Sequence, residues 1–252
     1  MKCVFKCQNK FFIILFLFLQ IRTCLLQSQW KTQKRNTDSG VANKKHSASI
    51  IFLHGLGDTG DRWTIILNTV KSSHIKIISP SARVIPITIN HGTNMSAWFD
   101  IKGLDQTLLE DSDGIKNATA FVHSLIEKEI SSGIPSNRII IGGFSQGGAL
   151  ALHAGLTYHK RLAGIIALSC WLPLSNLFTP SLVTANRNIH ILQCHGELDR
   201  VVPYGFGQLT AFFLQIMTKN FEFKTYPGLM HSVSPSVLAD IERFIKLNLP
   251  VI

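Results

Sequence analysis

The sequence predicts an α/β fold with a mostly parallel central sheet and helices on both faces. From residue 49 onward, short β-branched runs alternate with amphipathic stretches, a pattern typical of strands joined by helices. The chain has 252 residues, 46% of them hydrophobic and 16% charged, which suits a domain with a sizeable core. This composition argues against a disordered chain, a disulfide miniprotein or a repeat array. One domain is the simplest account of residues 49–252.

Six apolar runs are interpreted as the strands of this sheet: 50–53, 75–79, 138–141, 163–168, 189–194 and 221–226. A helix is expected after Asp113 and before the 133–135 segment, whose Gly-Ile-Pro sequence ends it. Its apolar residues recur with helical spacing and are predicted to share one face: Ala118, Phe121, Val122, Leu125 and Ile126.

The last helix has both start signals expected of an N-terminus. Ser234 is a plausible N-cap, and Pro235 follows in the first turn, where its missing N–H costs nothing. Leu238, Ile241 and Ile245 are predicted to face the core.

The positive charge is concentrated in residues 1–48, which we interpret as an N-terminal extension. The chain carries a formal net charge of +10, from 25 Lys+Arg and 15 Asp+Glu. The extension holds nine of the basic residues and one acid, so residues 49–252 are close to neutral. We therefore expect no nucleic-acid partner for the body of the protein.

The start of the extension resembles a targeting segment. Residues 1–10 are basic and residues 11–19 form an apolar run, too short to span a bilayer but suited to a secretory signal. Residues 1–28 are therefore a cleaved signal, an uncleaved anchor, or a segment without a targeting role. An error in the gene model belongs to the third alternative. Cys3 and Cys7 are alternative sites of S-acylation, although unmodified thiols are the simpler interpretation.

Two N-glycosylation acceptor patterns, at Asn94 and Asn117, matter only if the chain enters the secretory route. Cys170 and Cys194 are the two cysteines of the body, and they do not make a disulfide framework.

The segment Gly143-Phe144-Ser145-Gln146-Gly147 matches the G-x-S-x-G pattern of a nucleophile elbow. A predicted strand precedes it and an Ala/Leu-rich helical run follows, which is the context that the motif requires. The serine of such an elbow occupies a strained turn, and side chains at the two glycines would collide with the neighbouring backbone. The pattern predicts that Ser145 is a nucleophile at a helix N-terminus.

A serine nucleophile needs a base, and the base needs a third group to orient it. Among the downstream histidines, His231 lies in the loop between the last predicted strand and the last helix, so it is the predicted base. The acid is expected after an earlier strand, where the loop offers Glu197 and Asp199. Asp199 is favoured because it lies deeper in that loop, and a solvated loop carboxylate is the alternative for either residue.

An oxyanion hole needs two backbone N–H donors, one after the nucleophile and one in the turn after an early strand. Gln146 supplies the first by position, and Leu56, in the glycine-rich turn after residues 50–53, supplies the second. His54 precedes the serine and is interpreted as a structural histidine of that turn. The turn lacks the spacing and the lysine of a phosphate-binding loop, so nucleotide binding is not expected.

Together these residues resemble the acyl-protein thioesterase and lysophospholipase family of α/β-hydrolases, also called palmitoyl-protein hydrolases. The matching segments are 52–60, 98–101, 133–139, 142–149, 168–174, 191–196 and 223–226. The resemblance implies an α/β-hydrolase fold, and it assigns Ser145, Asp199 and His231 as the triad and Leu56 and Gln146 as the oxyanion donors. The sequence departs from the family pattern at Glu197 and in the 90–97 loop, which bears on acyl-chain preference more than on the reaction.

The resemblance implies hydrolysis of long-chain acyl thioesters on protein cysteines, with lysophospholipids and small esters as further substrates and no cofactor or metal. A broad lysophospholipase or carboxylesterase is the alternative, and a non-catalytic binding protein is the remote one. An acyl chain needs an apolar groove, for which the candidates are Trp98, Phe99, Trp171, Leu172 and Leu174; core packing is their other interpretation. The resemblance implies a cytoplasmic protein associated with membrane surfaces, and the secretory pathway, reached through the apolar extension, is the alternative.

Overall fold

The computed structural model describes residues 46–103, 110–179, 183 and 185–252. The predictions for residues 1–28, Cys3 and Cys7 therefore lie outside the described residues. The first described strand begins at Ala48, one residue before the expected start of the domain.

Eight strands are described, and six of them form the central sheet. Their bounds are β1 Ala48–Leu53, β2 Ile75–Ile78, β3 Val84–Ile87, β4 Thr93–Ser96, β5 Ile139–Phe144, β6 Gly164–Leu168, β7 Ile191–Gly196 and β8 Phe221–Tyr226. The sheet has the strand order β2-β1-β5-β6-β7-β8, and all of its neighbouring strands are parallel. The predicted sheet is therefore confirmed, with β5 extending to the residue before Ser145.

Five α-helices in the described part of the chain cover the two faces of the sheet. They are α1 Gly60–Asn68, α2 Ser112–Ser131, α3 Gln146–Thr157, α4 Tyr204–Met217 and α5 Pro235–Asn248. Side chains along each strand alternate between two buried clusters: Ile51 and Leu53 of β1 pack with α2, α3 and α4, whereas Ile50 and Phe52 pack with α1 and α5. Because both faces are covered, β1, β5 and β6 at the centre of the sheet are almost entirely buried, as expected of a parallel sheet, whereas the edge strands β2 and β8 are partly exposed and contain charged residues.

Of the five residues predicted to share one face of α2, Phe121 is not part of the buried stripe, and its side chain is 43% exposed. That stripe consists of Ile115, Ala118, Thr119, Val122, Ile126 and Glu129. Phe121 lies at its edge, with its ring 6.2 Å from that of Trp98.

Both start signals of the last helix are confirmed. The Ser234 side chain accepts a hydrogen bond from the Val237 N–H, and Pro235 is the first residue of α5. The end of α2 also agrees with the sequence, since Gly133 has a φ of 97°, a left-handed conformation that favours glycine.

The sequence did not predict the antiparallel β3–β4 hairpin, which lies outside the main sheet. Its strands have four residues each and are largely exposed, so they lack the apolar pattern of the buried strands. Among the described residues, no helix has the length and apolar character to cross a membrane.

Candidate active site

The predicted site residues meet at one edge of the sheet. In a parallel sheet the carboxyl ends of all strands lie at the same edge, which is where α/β proteins bind ligands. β1 leads into the turn that holds Leu56, β5 leads into Ser145, and β7 and β8 lead into the loops of Asp199 and His231.

Ser145 occupies the strained turn that the motif predicts. Its φ is 54° and its ψ is −122°, and it directly precedes α3. A Cβ atom on Gly143 would lie 2.2 Å from the carbonyl oxygen of Gly147, and a Cβ on Gly147 would lie 2.2 Å from the carbonyl oxygen of Leu53. Real Cβ atoms do not approach backbone atoms so closely, so both positions require glycine.

The turn after β1 packs directly against the elbow. A Cβ on Gly55 would lie 3.3 Å from the Cβ of Ser145, so this glycine brings the turn next to the serine. In the described part of the chain, neither the Leu56 nor the Gln146 N–H donates a turn or loop hydrogen bond to the backbone. The two N–H groups follow β1 and β5, in turns that pack against each other.

His231 and Asp199 form a direct hydrogen bond. His231 Nδ1 lies 2.7 Å from Asp199 Oδ2, and the Asp199 side chain is fully buried. The other carboxylate oxygen accepts the N–H groups of Val201 and Val202, each at 2.9 Å. Glu197 is exposed, so Asp199 is the carboxylate that the structure places beside His231.

The loops of Asp199 and His231 are held together by backbone contacts that the sequence analysis did not identify. Leu198 N–H donates to the Leu229 carbonyl at 3.0 Å, and a Cβ on Gly196 would lie 2.3 Å from the same oxygen. Gly196 therefore permits the close approach that brings His231 to Asp199. A glycine directly before the acidic loop is the sequence signal for it.

Phe144 connects the elbow of Ser145 to the loop of His231. Its ring lies 4.6 Å from the His231 ring, and it is the residue before Ser145. Within the described residues, His231 makes no hydrogen bond to Ser145 Oγ, a contact that is often long in enzymes without bound substrate.

His195 is a second histidine near Asp199. Its Nε2 lies 2.9 Å from the Val202 carbonyl and 3.5 Å from Asp199 Oδ2. Burial lowers its pKa below the ordinary value, and its buried Nδ1 has no hydrogen-bond partner among the described residues. Gly207 leaves room for the ring, since a Cβ there would lie 2.5 Å from Nδ1. His195 is therefore a neutral, packed residue that supports the acidic loop.

The structural interpretation of His54 is confirmed by its contacts. Its Nδ1 lies 2.7 Å from the Gly55 carbonyl, and its Nε2 accepts the Ala82 N–H at 2.9 Å. Burial lowers its pKa, so the ring is neutral with its proton on Nδ1. His54 thus fastens the turn after β1 to the segment before the hairpin.

The five candidate acyl-binding residues occupy two kinds of position. Phe99, Leu172 and Leu174 are buried in the core, whereas Trp98 and Trp171 are partly buried at its edge. Phe99 and Trp171 line a small recess of about 30 Å³ together with Lys102 and acidic side chains. Acyl binding by these residues stays a prediction.

In the part of the chain that the structure describes, no three metal-ligating side chains cluster as a metal site would require. A serine in an elbow and a histidine bonded to a buried carboxylate are the groups that nucleophilic catalysis uses.

Comparison with known proteins gives a consistent result. Residues 39–249 match the family model described as phospholipase/carboxylesterase. A Gibberella zeae protein named acyl-protein thioesterase 1 is 43% identical over 220 residues, covering 83% of this chain and 94% of the relative. A Neurospora crassa protein of the same name is 44% identical over 217 residues, covering 82% and 89%.

Two solved structures show the same fold. Arabidopsis thaliana SOBER1 superposes with a TM-score of 0.74 at 37% identity, covering 80% of this chain and 99% of that one. Zea mays acyl-protein thioesterase 2 has a TM-score of 0.74 at 31% identity, covering 83% and 97%. The predicted α/β-hydrolase fold is confirmed by these similarities.

Proposed function

The chain belongs to the phospholipase/carboxylesterase family of α/β-hydrolases, and we propose that it is an acyl-protein thioesterase that uses Ser145, Asp199 and His231 as its triad. The observation that carries the proposal is the buried Asp199–His231 hydrogen bond at 2.7 Å, beside a serine held in an elbow. The fungal relatives named acyl-protein thioesterase 1 supply the substrate class: proteins that carry a long acyl chain on cysteine.

In the first step His231 accepts the proton of Ser145 Oγ, and the oxygen attacks the thioester carbonyl. Asp199 accepts the Nδ1–H of His231, so the base presents its Nε2 lone pair to the serine. The C–S bond then breaks, the imidazolium protonates the leaving thiolate, and Ser145 carries the acyl group.

In the second step His231 takes a proton from water, and the resulting hydroxide attacks the acyl-serine. The C–O bond to Ser145 breaks, the serine recovers its proton from His231, and a fatty acid leaves. Both tetrahedral intermediates place negative charge on the former carbonyl oxygen. The N–H groups of Leu56 and Gln146 are the proposed donors to that oxygen.

Glu110 supports the acyl-binding proposal, because it fastens the 171–174 loop. Its carboxylate accepts the Trp171 indole N–H at 3.2 Å and the Leu174 N–H at 2.6 Å. Leu174 has a φ of 53°, which leucine rarely adopts without external support. A rigid loop of apolar side chains is what a groove for an acyl chain requires.

A broad lysophospholipase or carboxylesterase is the second candidate function, favoured by the description of the matching family. It uses the same triad and the same oxyanion donors, so the substrate separates the two candidates. We expect a higher kcat/KM for a palmitoyl-cysteine peptide than for palmitoyl-lysophosphatidylcholine. A higher value for the lysolipid would favour the second function.

Covalent labelling tests the nucleophile. A fluorophosphonate probe is expected to label the wild-type protein and not Ser145→Ala, because the probe reacts with serines activated by a neighbouring base. Equal labelling of both proteins, or none of either, would refute the proposed triad.

The targeting role of residues 1–28 stays a prediction, and so does the membrane association of the extension. Sequencing of the native N-terminus tests the first. A start between residues 24 and 30 would establish cleavage, and an intact Met1 on a cytosolic protein would refute secretion.

A further inference from the structure

One short segment, Trp98-Phe99, contacts both of the turns that carry the proposed oxyanion donors. Leu56 follows β1 and Gln146 follows β5, so the two donors belong to neighbouring strands but to separate turns. The direct packing between the turns is the contact of Gly55 with Phe144 and Ser145. The Trp98-Phe99 segment adds hydrogen bonds to each turn.

The Gln146 side chain connects this segment to the elbow. Its Oε1 accepts the Trp98 N–H at 3.1 Å, and its Nε2 donates to the Phe99 carbonyl at 2.7 Å. Gln146 is fully buried, so both ends of its amide are satisfied by the backbone 47 and 48 residues earlier. A buried amide with two such bonds is fixed in position, since loss of either would leave polar groups unpaired.

Trp98 and the nearby Ser96 hold the turn after β1 on both sides of Leu56. The Trp98 indole N–H donates to the His54 carbonyl at 2.8 Å, and the Gly57 N–H donates to the Ser96 carbonyl at 2.8 Å. Leu56 therefore lies between two residues that are bonded to the 96–98 segment.

We propose that the Trp98 indole and the Gln146 side chain are positioning residues of the oxyanion hole, which set the separation of the Leu56 and Gln146 N–H groups. This inference rests on the proposed function. An oxyanion donor stabilises the transition state only within a narrow range of distance and direction, so a small shift of one turn weakens catalysis. The substrate carbonyl is stabilised less by these donors than the tetrahedral intermediate is, so the shift lowers kcat more than it raises KM.

This role differs from the acyl-binding role predicted for Trp98 from the sequence. An acyl contact contributes to long substrates and little to short ones. A positioning role affects every substrate equally, because the oxyanion is common to all of them. Chain length therefore distinguishes the two roles.

The test uses Trp98→Phe, which removes the indole N–H and keeps an aromatic ring. We expect kcat to fall about 10- to 100-fold on both an acetyl and a palmitoyl thioester, with KM changed less than about 3-fold. The inhibition constant of a short alkylboronic acid, which forms a tetrahedral adduct with serine, is expected to rise in proportion to the loss of kcat/KM.

Tyr158→Phe is the matched control. Tyr158 is a buried aromatic residue whose hydroxyl donates to Glu127, and it lies in none of the loops of the site. It loses one partly buried hydrogen bond of an aromatic side chain, as Trp98→Phe does, and kcat is expected to stay within about 2-fold of wild type. Thermal unfolding of both variants establishes that they are folded.

Gln146→Met provides an independent second variant, because it removes both amide bonds at similar volume. It is expected to lower kcat and weaken boronic acid binding as Trp98→Phe does. In the double variant, the fold-decrease in kcat is expected to be smaller than the product of the two single decreases. The inference is overturned if folded Trp98→Phe or Gln146→Met keeps wild-type kcat, or if the loss is confined to palmitoyl substrates. Failure of the proposed function itself is separate, and would appear as full activity of Ser145→Ala.

Discussion

The elbow around Ser145 and the loops of Asp199 and His231 are built in different ways. The elbow lies within five consecutive residues, and its shape is enforced by steric exclusion at Gly143 and Gly147. Asp199 and His231 are 32 residues apart and are brought together by hydrogen bonds between two loops.

This difference indicates how each region fails. A region shaped by exclusion is disrupted by adding an atom, because no space exists for it. A region held by hydrogen bonds is disrupted by changing a donor or acceptor while its volume stays the same. Substitutions of the two kinds are expected to separate loss of folding from loss of catalysis.

The largest effect is expected for Asp199→Asn, which keeps the volume of the side chain. The amide presents an N–H where His231 Nδ1 donates, so the imidazole adopts the wrong tautomer or loses its partner. We expect kcat to fall about 10⁴-fold with the fold retained. The fall in kcat is measured by steady-state hydrolysis of a palmitoyl thioester.

Glu197→Gln is the control for that substitution. Glu197 is an exposed acid of the same loop, so activity is expected to stay within about 2-fold of wild type. A larger loss for Glu197→Gln than for Asp199→Asn would reverse the assignment of the acid.

The elbow is expected to lose stability when one methyl group is added. Gly147→Ala places a Cβ 2.2 Å from the Leu53 carbonyl oxygen, a backbone atom of β1 that cannot move without disturbing the sheet. We expect a loss of about 3 kcal/mol in the free energy of unfolding, measured by urea denaturation. Gly205→Ala, a helical glycine with nothing within 4 Å of its added Cβ, is expected to be neutral or slightly stabilising. Similar losses for both would contradict the steric account.

The helix of the elbow also gives the protein a pH-dependent stability. Burial, with smaller contributions from His123 and Lys116, lowers the pKa of His153 in α3 to about 4 from its ordinary value of 6.5. The unfolded chain therefore binds a proton first as the pH falls, and stability is lost between about pH 6.5 and 4. Between pH 7 and 5 the loss due to this group is about 2 kcal/mol. Urea denaturation at pH 7 and pH 5 should show a smaller loss of unfolding free energy for His153→Asn than for the wild-type protein. An equal loss in the two proteins would refute the contribution of His153.

The smallest effect is expected for Glu110→Gln in the proposed acyl groove. Trp171 and Leu174 donate to different oxygens of the carboxylate, and the amide replaces one of these acceptors with an NH₂ donor. We expect the ratio of kcat/KM for palmitoyl to acetyl thioesters to fall about 10-fold. Glu127→Gln, an acid on the opposite end of α2 that pairs with Lys160, serves as the control. An unchanged ratio for Glu110→Gln would remove Glu110 from the groove.

The features predicted from sequence are those whose causes are local. The strained conformation of Ser145 follows from two glycines within two residues of it, and the start of α5 follows from Ser234 and Pro235. The central strands β1, β5 and β6 were predicted because burial on both faces leaves an apolar run. The pair of Asp199 and His231 was predicted from chain order, and their contact agrees with that order.

The features that were missed depend on contacts between distant residues. The hydrogen bonds of Trp98 join residues 44 and 48 positions away, and no pattern in the sequence reports such pairs. Phe121 lies at the edge of the apolar face of α2. Helical spacing alone does not tell which edge residues are buried, because tertiary packing decides it. The β3–β4 hairpin has short, exposed strands, one of which contains Pro86, so its pattern was too weak to identify.

The most direct test of the account is the detection of an acyl group on Ser145 during turnover. The protein is mixed with a palmitoyl-cysteine peptide, quenched in acid within the first turnover, and digested for mass spectrometry. We expect the peptide that contains Ser145 to carry one palmitoyl group, and the adduct to be absent from Ser145→Ala. Thioester hydrolysis at the wild-type rate by Ser145→Ala, with no adduct on the wild-type serine, would contradict the account.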